Sequence, residues 1–366
     1  MKNLTCILTL KGRENFSKRF FEHICKIGLP YKLMIGDGDP VSSIQKFLIS
    51  NPHMGNIDYQ YLKFDDDSPQ KFFYKLESLV AHADTPYVML CDNDDFLVLS
   101  GIEKCITFLD NNSDYTSCGG KVLGVGAVIK REDMCIVKEG WIYGDFSKCS
   151  SDSSVQRVLA YIENYAAPCW YNVYRKENLL NSIKLFRETG GNDFLLMELF
   201  MAFSGSAQGK QHIDNGFVHY IRQTNSSQTN VSIKSLMYRF IYSDLGNEIK
   251  NVIAVLSSQI HQYEKTDIED IREKLRKAFL LYFEGKPADK FSSKLFNKFK
   301  AFCSRWDYTL RYIFPSYNRF RLECDLKNIE KELFQKGANK HETTLFLKEY
   351  QQVREILVKH SSCTNV

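Results

Sequence analysis

No stretch of about 18 consecutive apolar residues occurs in the chain, so a membrane-spanning helix is not expected. The 11 cysteines are odd in number and include no Cys-x-x-Cys pair. Cys6, Cys25, Cys91, Cys105 and Cys118 are scattered, several of them in apolar stretches. A disulfide framework or a zinc site needs paired, regularly spaced cysteines, so neither is expected, and a reducing cytoplasm is the simpler setting. An excess of one charge sign is lacking too, with 48 Lys/Arg against 44 Asp/Glu. A net charge of +4 gives no bulk argument for a nucleic-acid partner. No Gly-rich, Lys-containing phosphate loop follows the first strand, and Gly124-Val125-Gly126 lacks the rest of a dinucleotide fingerprint. Internal repeats and low-complexity tracts are missing. The opening MKNLTCILTLKGREN has too short an apolar core for a signal peptide and reads as a strand.

What is present suits a folded enzyme. A length of 366 residues fits one large domain with an appendage, and 44% hydrophobic residues can fill a sizeable core. Residues 4–10 are apolar and partly β-branched, as a buried strand requires. A helical pattern follows over 15–27 (Phe16, Phe20, Ile24, Ile27), stopped by Gly28 and Pro30. Strands are expected at 32–36, 59–64 and 87–91, and helices at 42–50 and 71–82. The middle of the chain mixes strands (121–130, 135–137, 172–175, 217–223) with helices (155–165, 193–203). From about 231 the pattern is helical: 233–262, 266–283, 289–314 and 325–358. Alternating strands and helices imply an α/β fold, with a mainly parallel sheet and helices on both faces. We expect a catalytic domain over 1–230 and a helical extension over 231–366.

Ligands of such sheets sit at the carboxyl ends of the strands. Three strand ends carry chemically useful residues: Thr9 to Arg13, Asp37 to Asp39, and Asp92-Asn93-Asp94-Asp95. The last group follows an apolar strand directly. Carboxylates placed there need a partner, and a divalent cation such as Mg²⁺ is one. The other reading is an acidic turn capping the helix that begins near Leu97. A second acidic run, Asp65-Asp66-Asp67, has no equally apolar strand before it and reads as a helix cap or a solvated loop.

Thr9 with Arg13, Asp37-Gly38 and Asp92-x-Asp94-Asp95, in this order, resemble the nucleotide-binding half of family 2-type GT-A glycosyltransferases. Gly190-Gly191-Asn192-Asp193-Phe194, with Glu198, is similar to the acidic segment that carries their catalytic base. The resemblance covers about 3–230. It implies a GT-A, Rossmann-like mixed sheet and a nucleotide-sugar donor. It also implies Mg²⁺ or Mn²⁺ as cofactor, and a glycan or lipid-linked acceptor in surface polysaccharide synthesis. Asp37 would meet the donor's base, with Thr9 and Arg13 near the nucleotide and Lys75 facing the donor. Asp92 and Asp94 would face ribose, diphosphate and metal, and Asp95 the donor sugar. The first turn here is Thr-Leu-Lys-Gly-Arg where relatives have Thr-Tyr-Asn-Arg, and the base segment is Asn-Asp where many have Glu-Asp. A Gln-x-x-Arg-Trp motif is missing, which implies single additions rather than polymerisation. Other outcomes for this set are a nucleotidyl- or sugar-phosphate transferase, or a non-catalytic membrane adaptor.

Inverting transfer needs a base for the acceptor hydroxyl. Asp193, at the start of an apolar helix, is the candidate, although an Asp there also caps a helix. Glu198, among Leu195, Leu196, Met197, Leu199 and Phe200, is the second. His219 is a candidate third metal ligand or a structural histidine, and Arg222 a candidate partner for the diphosphate. Trp170 and Tyr171 are candidate acceptor platforms or core aromatics.

In the tail, 286–321 holds nine Lys/Arg and two Asp. Phe291, Leu295, Phe299, Phe302, Trp306, Leu310 and Ile313 recur there at steps of three and four. That stripe suits packing on the catalytic domain or on a second subunit of a homo-oligomer, or lying in an anionic membrane surface at the inner face of the membrane.

Overall fold

A computed structural model of the chain describes residues 3–41, 43–131, 134–141, 150–163, 169–224, 245–284 and 315–360, with side chains described outside 127–138, 283–284 and 315–324. The elements in chain order are β1 (Leu4–Leu10), α1 (Glu14–Lys26), β2 (Lys32–Asp37), α2 (Ser43–Ser50), β3 (Tyr59–Lys63), α3 (Pro69–His82), β4 (Tyr87–Cys91), β5 (Phe96–Leu97), α4 (Leu99–Asn111), β6 (Tyr115–Arg131), β7 (Met134–Trp141), α5 (Ser154–Glu163), β8 (Val173–Arg175), α6 (Lys176–Glu188), α7 (Phe194–Gln208), β9 (Lys210–Gln223), α8 (Leu245–Glu264), α9 (Ile268–Glu284), α10 (Pro315–Gln335) and α11 (Lys340–Lys359).

Side chains alternate along a strand, and β1 uses both sides. Leu4, Cys6, Leu8 and Leu10 enter a core shared with Phe20, Phe21 and Ile24 of α1, Ile44 of α2, and Ile102 and Leu109 of α4. Ile7 faces the other way, into a core shared with Phe73 and Leu76 of α3 and with α5 through α9. Both faces of the sheet are therefore covered, as an apolar central strand demands.

Nine strands form one mixed α/β sheet in the order β3-β2-β1-β4-β8-β6-β9-β5, with β7 paired to β6 off that path. The first four are mutually parallel. β8 runs antiparallel to both β4 and β6, β9 runs parallel to β6, and β5 returns antiparallel to β9.

The late helices join these layers. Val252, Leu256 and Ile260 of α8 and Phe279 of α9 belong to the same core as α7. Leu333 of α10 and Phe346, Tyr350 and Val353 of α11 cover Val125, Val218 and Ile221 in a third cluster. Where the apolar periodicity suggests one helix over 325–358, there are two. Gly337, at φ 100, makes the break, and Asn339 and Glu342 form a reciprocal capping box that starts α11. α6 and the two-residue β5 lie where no element was expected. The expected helix over 289–314 and the basic stripe of 286–321 lie outside the described residues, apart from the backbone of 315–321. Among the described residues no helix is long and apolar enough to cross a membrane.

Candidate active site at the carboxyl ends of the strands

The chain leaves β1 toward β2 and β3 on one side and comes back on the other side for β4. The carboxyl ends of β1 and β4 therefore flank the switch point, where open sheets of this kind form a crevice. Arg13 lies three residues past β1 and Asp94 three residues past β4. They meet across the crevice, with both Nη1 and Nη2 of Arg13 at 3.2 Å from Asp94 Oδ2. The turn after β1 is left-handed at two successive residues, Gly12 (φ 63) and Arg13 (φ 56). Glycine adopts this without strain and arginine does not. The conformation is held because the Arg13 carbonyl accepts from the N–H groups of Phe16 and Ser17, opening α1, while Gly12 N–H donates to Asp39 Oδ2 at 3.0 Å.

Asp92, Asp94 and Asp95 bring carboxylate oxygens within 4.8 Å of one another. They do not cap the next helix. The cap residue of α4 is Val98, without a side-chain hydrogen bond, and Ser100 N–H donates instead to Glu349 of α11 at 3.1 Å. The three acids repel one another in a poorly solvated place. Burial, then Asp94, pushes half-buried Asp92 up to about 6, against the pull of Arg222, the Tyr171 hydroxyl and Arg13. Burial, then Asp94 and Asp92, raises Asp95 well above the usual carboxylate range. Asp95 Oδ1 accepts from Gln223 N–H at 2.9 Å, while its buried Oδ2 has no hydrogen-bond partner. A clustered oxygen donor set with one orphaned, buried carboxylate oxygen is what a hard divalent cation satisfies, so these residues fit Mg²⁺ or Mn²⁺.

Arg19 holds the loop from beneath. It is fully buried between the rings of Phe16 and Phe96, bonds the Asp94 carbonyl at 2.5 Å, and bonds the Gln223 side chain. Sequence reasoning missed it, yet a signal exists. Positions 16, 19, 20, 23 and 24 form one helical stripe, and Arg19 and His23 are the polar members of that apolar face. His23 is engaged in the same region, with Nε2 against the N–H and carbonyl of Leu97.

Asp37 ends β2 beside Leu10 and is fully buried. Its Oδ2 accepts from the Tyr61 hydroxyl at 2.5 Å and lies 3.6 Å from Lys63 Nζ; its Oδ1 accepts from Asp39 N–H at 2.8 Å. Thr9 is half-buried in β1 opposite Gly36. Lys75 does not face a donor. It is fully buried, and its ammonium pairs with Asp66 and donates to the Leu10 carbonyl at 3.2 Å. The expectation for the acidic run is corrected with it. Asp65 and Asp67 are exposed around Lys71, but Asp66 is buried against Gly38 and Lys75. The side-chain cap of α3 is Ser68, which accepts from Lys71 N–H at 3.3 Å.

His219 is structural. Nδ1 accepts from Gly120 N–H at 2.9 Å and Nε2 donates to the Tyr171 carbonyl at 3.0 Å, so both ring nitrogens are spent within the sheet. Burial pushes it, like His23, down to about 4. Both rings are thus neutral in the fold but take a proton in the unfolded chain below about 6.5. The unfolded state binds more protons between about 6.5 and 4, so stability falls as pH drops through that window. Asp92 acts with the opposite sign, since its folded form takes the proton first. Urea unfolding across this range should show His219→Gln with a pH slope shallower by about 1.4 kcal/mol per pH unit, one proton's worth; an unchanged slope would contradict the buried neutral ring.

Tyr171 is no open acceptor platform. It is 3% exposed, its ring stacks on Tyr220 at 4.1 Å, and its hydroxyl donates to Asp92 Oδ2 at 3.2 Å. β8 runs antiparallel to β4, which is what carries the preceding Tyr171 to the carboxyl end of β4. The Tyr220 hydroxyl accepts from the Asp92 N–H at 3.1 Å. Trp170 is half-buried and packs against two cores. Arg222, at the end of β9, places its guanidinium 5.9 Å from the Tyr171 ring centre and lowers the proton affinity of Asp92 and Asp95.

Asp193 caps α7, with Oδ1 accepting from Leu196 N–H at 2.9 Å. The adjacent Phe194 packs on Phe72 and Phe73 in the first turn of α3, which follows β3. The start of α7 therefore lies at the carboxyl end of the sheet. Glu198 is half-buried on another side of the helix, where its charge acts on Cys169, Tyr174 and Tyr282. A cavity of about 640 Å³ between α4 and the α10–α11 turn holds none of these residues.

No family model matches the chain, and no curated protein matches it in sequence. Among solved structures it is similar in chain path to the 1–349 fragment of S. aureus TarS, at 10% identity and a TM-score of 0.43, covering 78% of this chain and 88% of that one. The same fragment in complex with UDP gives 12% identity and 0.44, covering 76% and 92%. A mannosyltransferase from Pyrobaculum calidifontis in complex with GDP-Man and Mn²⁺ gives 10% identity and 0.40, covering 88% and 87%.

Proposed function

We propose that the chain is a GT-A type glycosyltransferase that moves one sugar from a nucleoside-diphosphate donor to the hydroxyl of a glycan or lipid-linked acceptor. The observation that carries this reading is the set Asp92, Asp94 and Asp95 at the switch point, facing Arg13, with an orphaned oxygen on buried Asp95. Asp94 and Asp92 would hold Mg²⁺ or Mn²⁺, with His219 excluded from the ligand set. When bound, such a cation supplies charge that offsets the negative charge of the departing nucleoside diphosphate.

The protein's own residues do the rest. Asp37, held by Tyr61, offers a carboxylate to the donor's base beside Thr9. Arg13 and Arg222 supply positive charge at the two edges of the acidic turn. Asp95, fixed through Oδ1 by Gln223, would set its Oδ2 at the cation, beside the donor sugar. Asp193 takes the proton of the attacking hydroxyl, which makes the transfer inverting when it lies opposite the leaving group. Glu198, directed at Cys169, Tyr174 and Tyr282, ranks behind it. Trp170 is the remaining aromatic candidate for the acceptor.

The test is thermal stability against UDP, GDP, CDP and dTDP, each with and without Mn²⁺. The matching nucleotide at a hundredfold excess over its Kd should stabilise the fold by about 2.7 kcal/mol, a shift of several degrees, only when Mn²⁺ is present. Indifference to all four nucleotides under both conditions would remove the donor site.

A further inference from the structure

The crevice holds two arginines of different character. Arg19 is fully buried, and its bonds go to the Asp94 carbonyl and the Gln223 side chain, so it fixes the loop and stays. Arg13 is the accessible one: in its ion pair the side chains are 21% and 10% exposed. Both of its terminal nitrogens converge on a single oxygen, Asp94 Oδ2. Its backbone is pinned by the start of α1, but its guanidinium lies over the Phe16 ring at 4.2 Å, a face along which it can slide without losing its aromatic contact.

The two N–H groups of Arg13 take both lone pairs of Asp94 Oδ2, so a divalent cation that binds this oxygen must displace guanidinium contacts, and the two positive charges repel. We propose that Arg13 is an exchange residue: it occupies Asp94 Oδ2, and yields that oxygen to the cation as its guanidinium moves onto the donor's diphosphate. This rests on the reading of the site as one for a nucleoside diphosphate with a divalent cation. Arg19 makes the exchange workable, since it keeps the Asp94 backbone in place after Arg13 has left. Cation and nucleotide then bind with positive coupling, because each removes an obstacle to the other. Arg13 in this role positions Asp94 and touches the donor only after the exchange.

The experiment measures Mn²⁺ affinity of the full chain by electron paramagnetic resonance of free Mn²⁺. It is run with and without the nucleoside diphosphate that shifts thermal stability, or with UDP and GDP in turn. The variant is Arg13→Asn, because asparagine tolerates the left-handed backbone and can cap α1 while removing the charge. Arg13→Lys keeps the charge as a control. Arg13→Asn should bind Mn²⁺ alone about tenfold more tightly than wild type, and the gain in Mn²⁺ affinity produced by nucleotide should shrink by a similar factor. Arg13→Lys should stay near wild type in both. If wild type binds Mn²⁺ with nucleotide but Arg13→Asn binds Mn²⁺ alone no better, the exchange is wrong and the site reading stands. If wild type and variant bind no Mn²⁺ even with nucleotide, both fall. A circular dichroism spectrum and a melting temperature confirm that each variant is folded before its affinity is compared.

Discussion

On the proposed function, Asp94→Ala should lower sugar transfer on the order of 10³-fold while leaving the protein folded and no less stable. The activity loss follows from removing a carboxylate that would hold the cation, at a place where charge develops in the transition state. The stability forecast is less usual for a buried charge and follows from the neighbours. The Asp94 charge raises the proton affinity of both Asp92 and Asp95, so deleting it relieves like-charge repulsion. Its ion pair with Arg13 is lost, but Arg13 also acts on Asp92 and so keeps a negative neighbour. Arg19 bonds the backbone of Asp94 rather than its carboxylate, so the loop keeps its anchor. A transfer assay together with a melting curve tests both halves. Full activity would end the metal reading, and a large drop in melting temperature would show that the acids hold the fold together instead.

Lys75→Met should destabilise the fold by about 3–5 kcal/mol, because it leaves Asp66 charged, buried and uncompensated. The ammonium itself is held below its ordinary proton affinity by burial and supported by Asp66, the balance expected of a pair that exists only because both members are present. Adding Asp66→Asn to Lys75→Met should recover much of the loss, since the stranded charge is then removed. Urea unfolding of the two single variants and the double variant measures this. If Lys75 instead served the donor directly, stability would barely move and nucleotide affinity would fall. The pair sits beneath the ends of β1 and β2, with Lys75 on the Leu10 carbonyl and Asp66 against Gly38, so the floor of the crevice depends on it.

Much of the first hundred residues was legible because β1, β2 and β4 are apolar on both faces and each helix on one. β1, β2, β3 and β4 stand where alternation and turn residues place them, and Asp92 to Asp95 begin where β4 stops. Position at a strand end is a local property, which is why Thr9, Arg13, Asp37 and Asp92 could be named in advance as a group. The middle and tail were harder for identifiable reasons. β5 has two residues, too few for any period, and exists through its pairing with β9. A single glycine, Gly337, divides the last helical run, and a periodicity reading passes over one such residue. Asp66 looked like its exposed neighbours because burial of one acid in a run of three depends on Lys75, in the following helix.

The amino-acid order by itself determined the α/β alternation, the acidic turn after an apolar strand and the cap at Asp193, because these depend on residues within a few positions of one another. Only the tertiary structure decided which polar groups are spent and which remain for chemistry. It took His219 and Tyr171 from the candidate roles by satisfying the two ring nitrogens of the one and covering the ring of the other. It set Arg19 beneath the acidic turn and Arg13 on it, 75 and 81 positions away in the chain. Such assignments are fixed by hydrogen-bond partners and burial between distant segments, and those arise only once the β1–β4 crevice has closed around them.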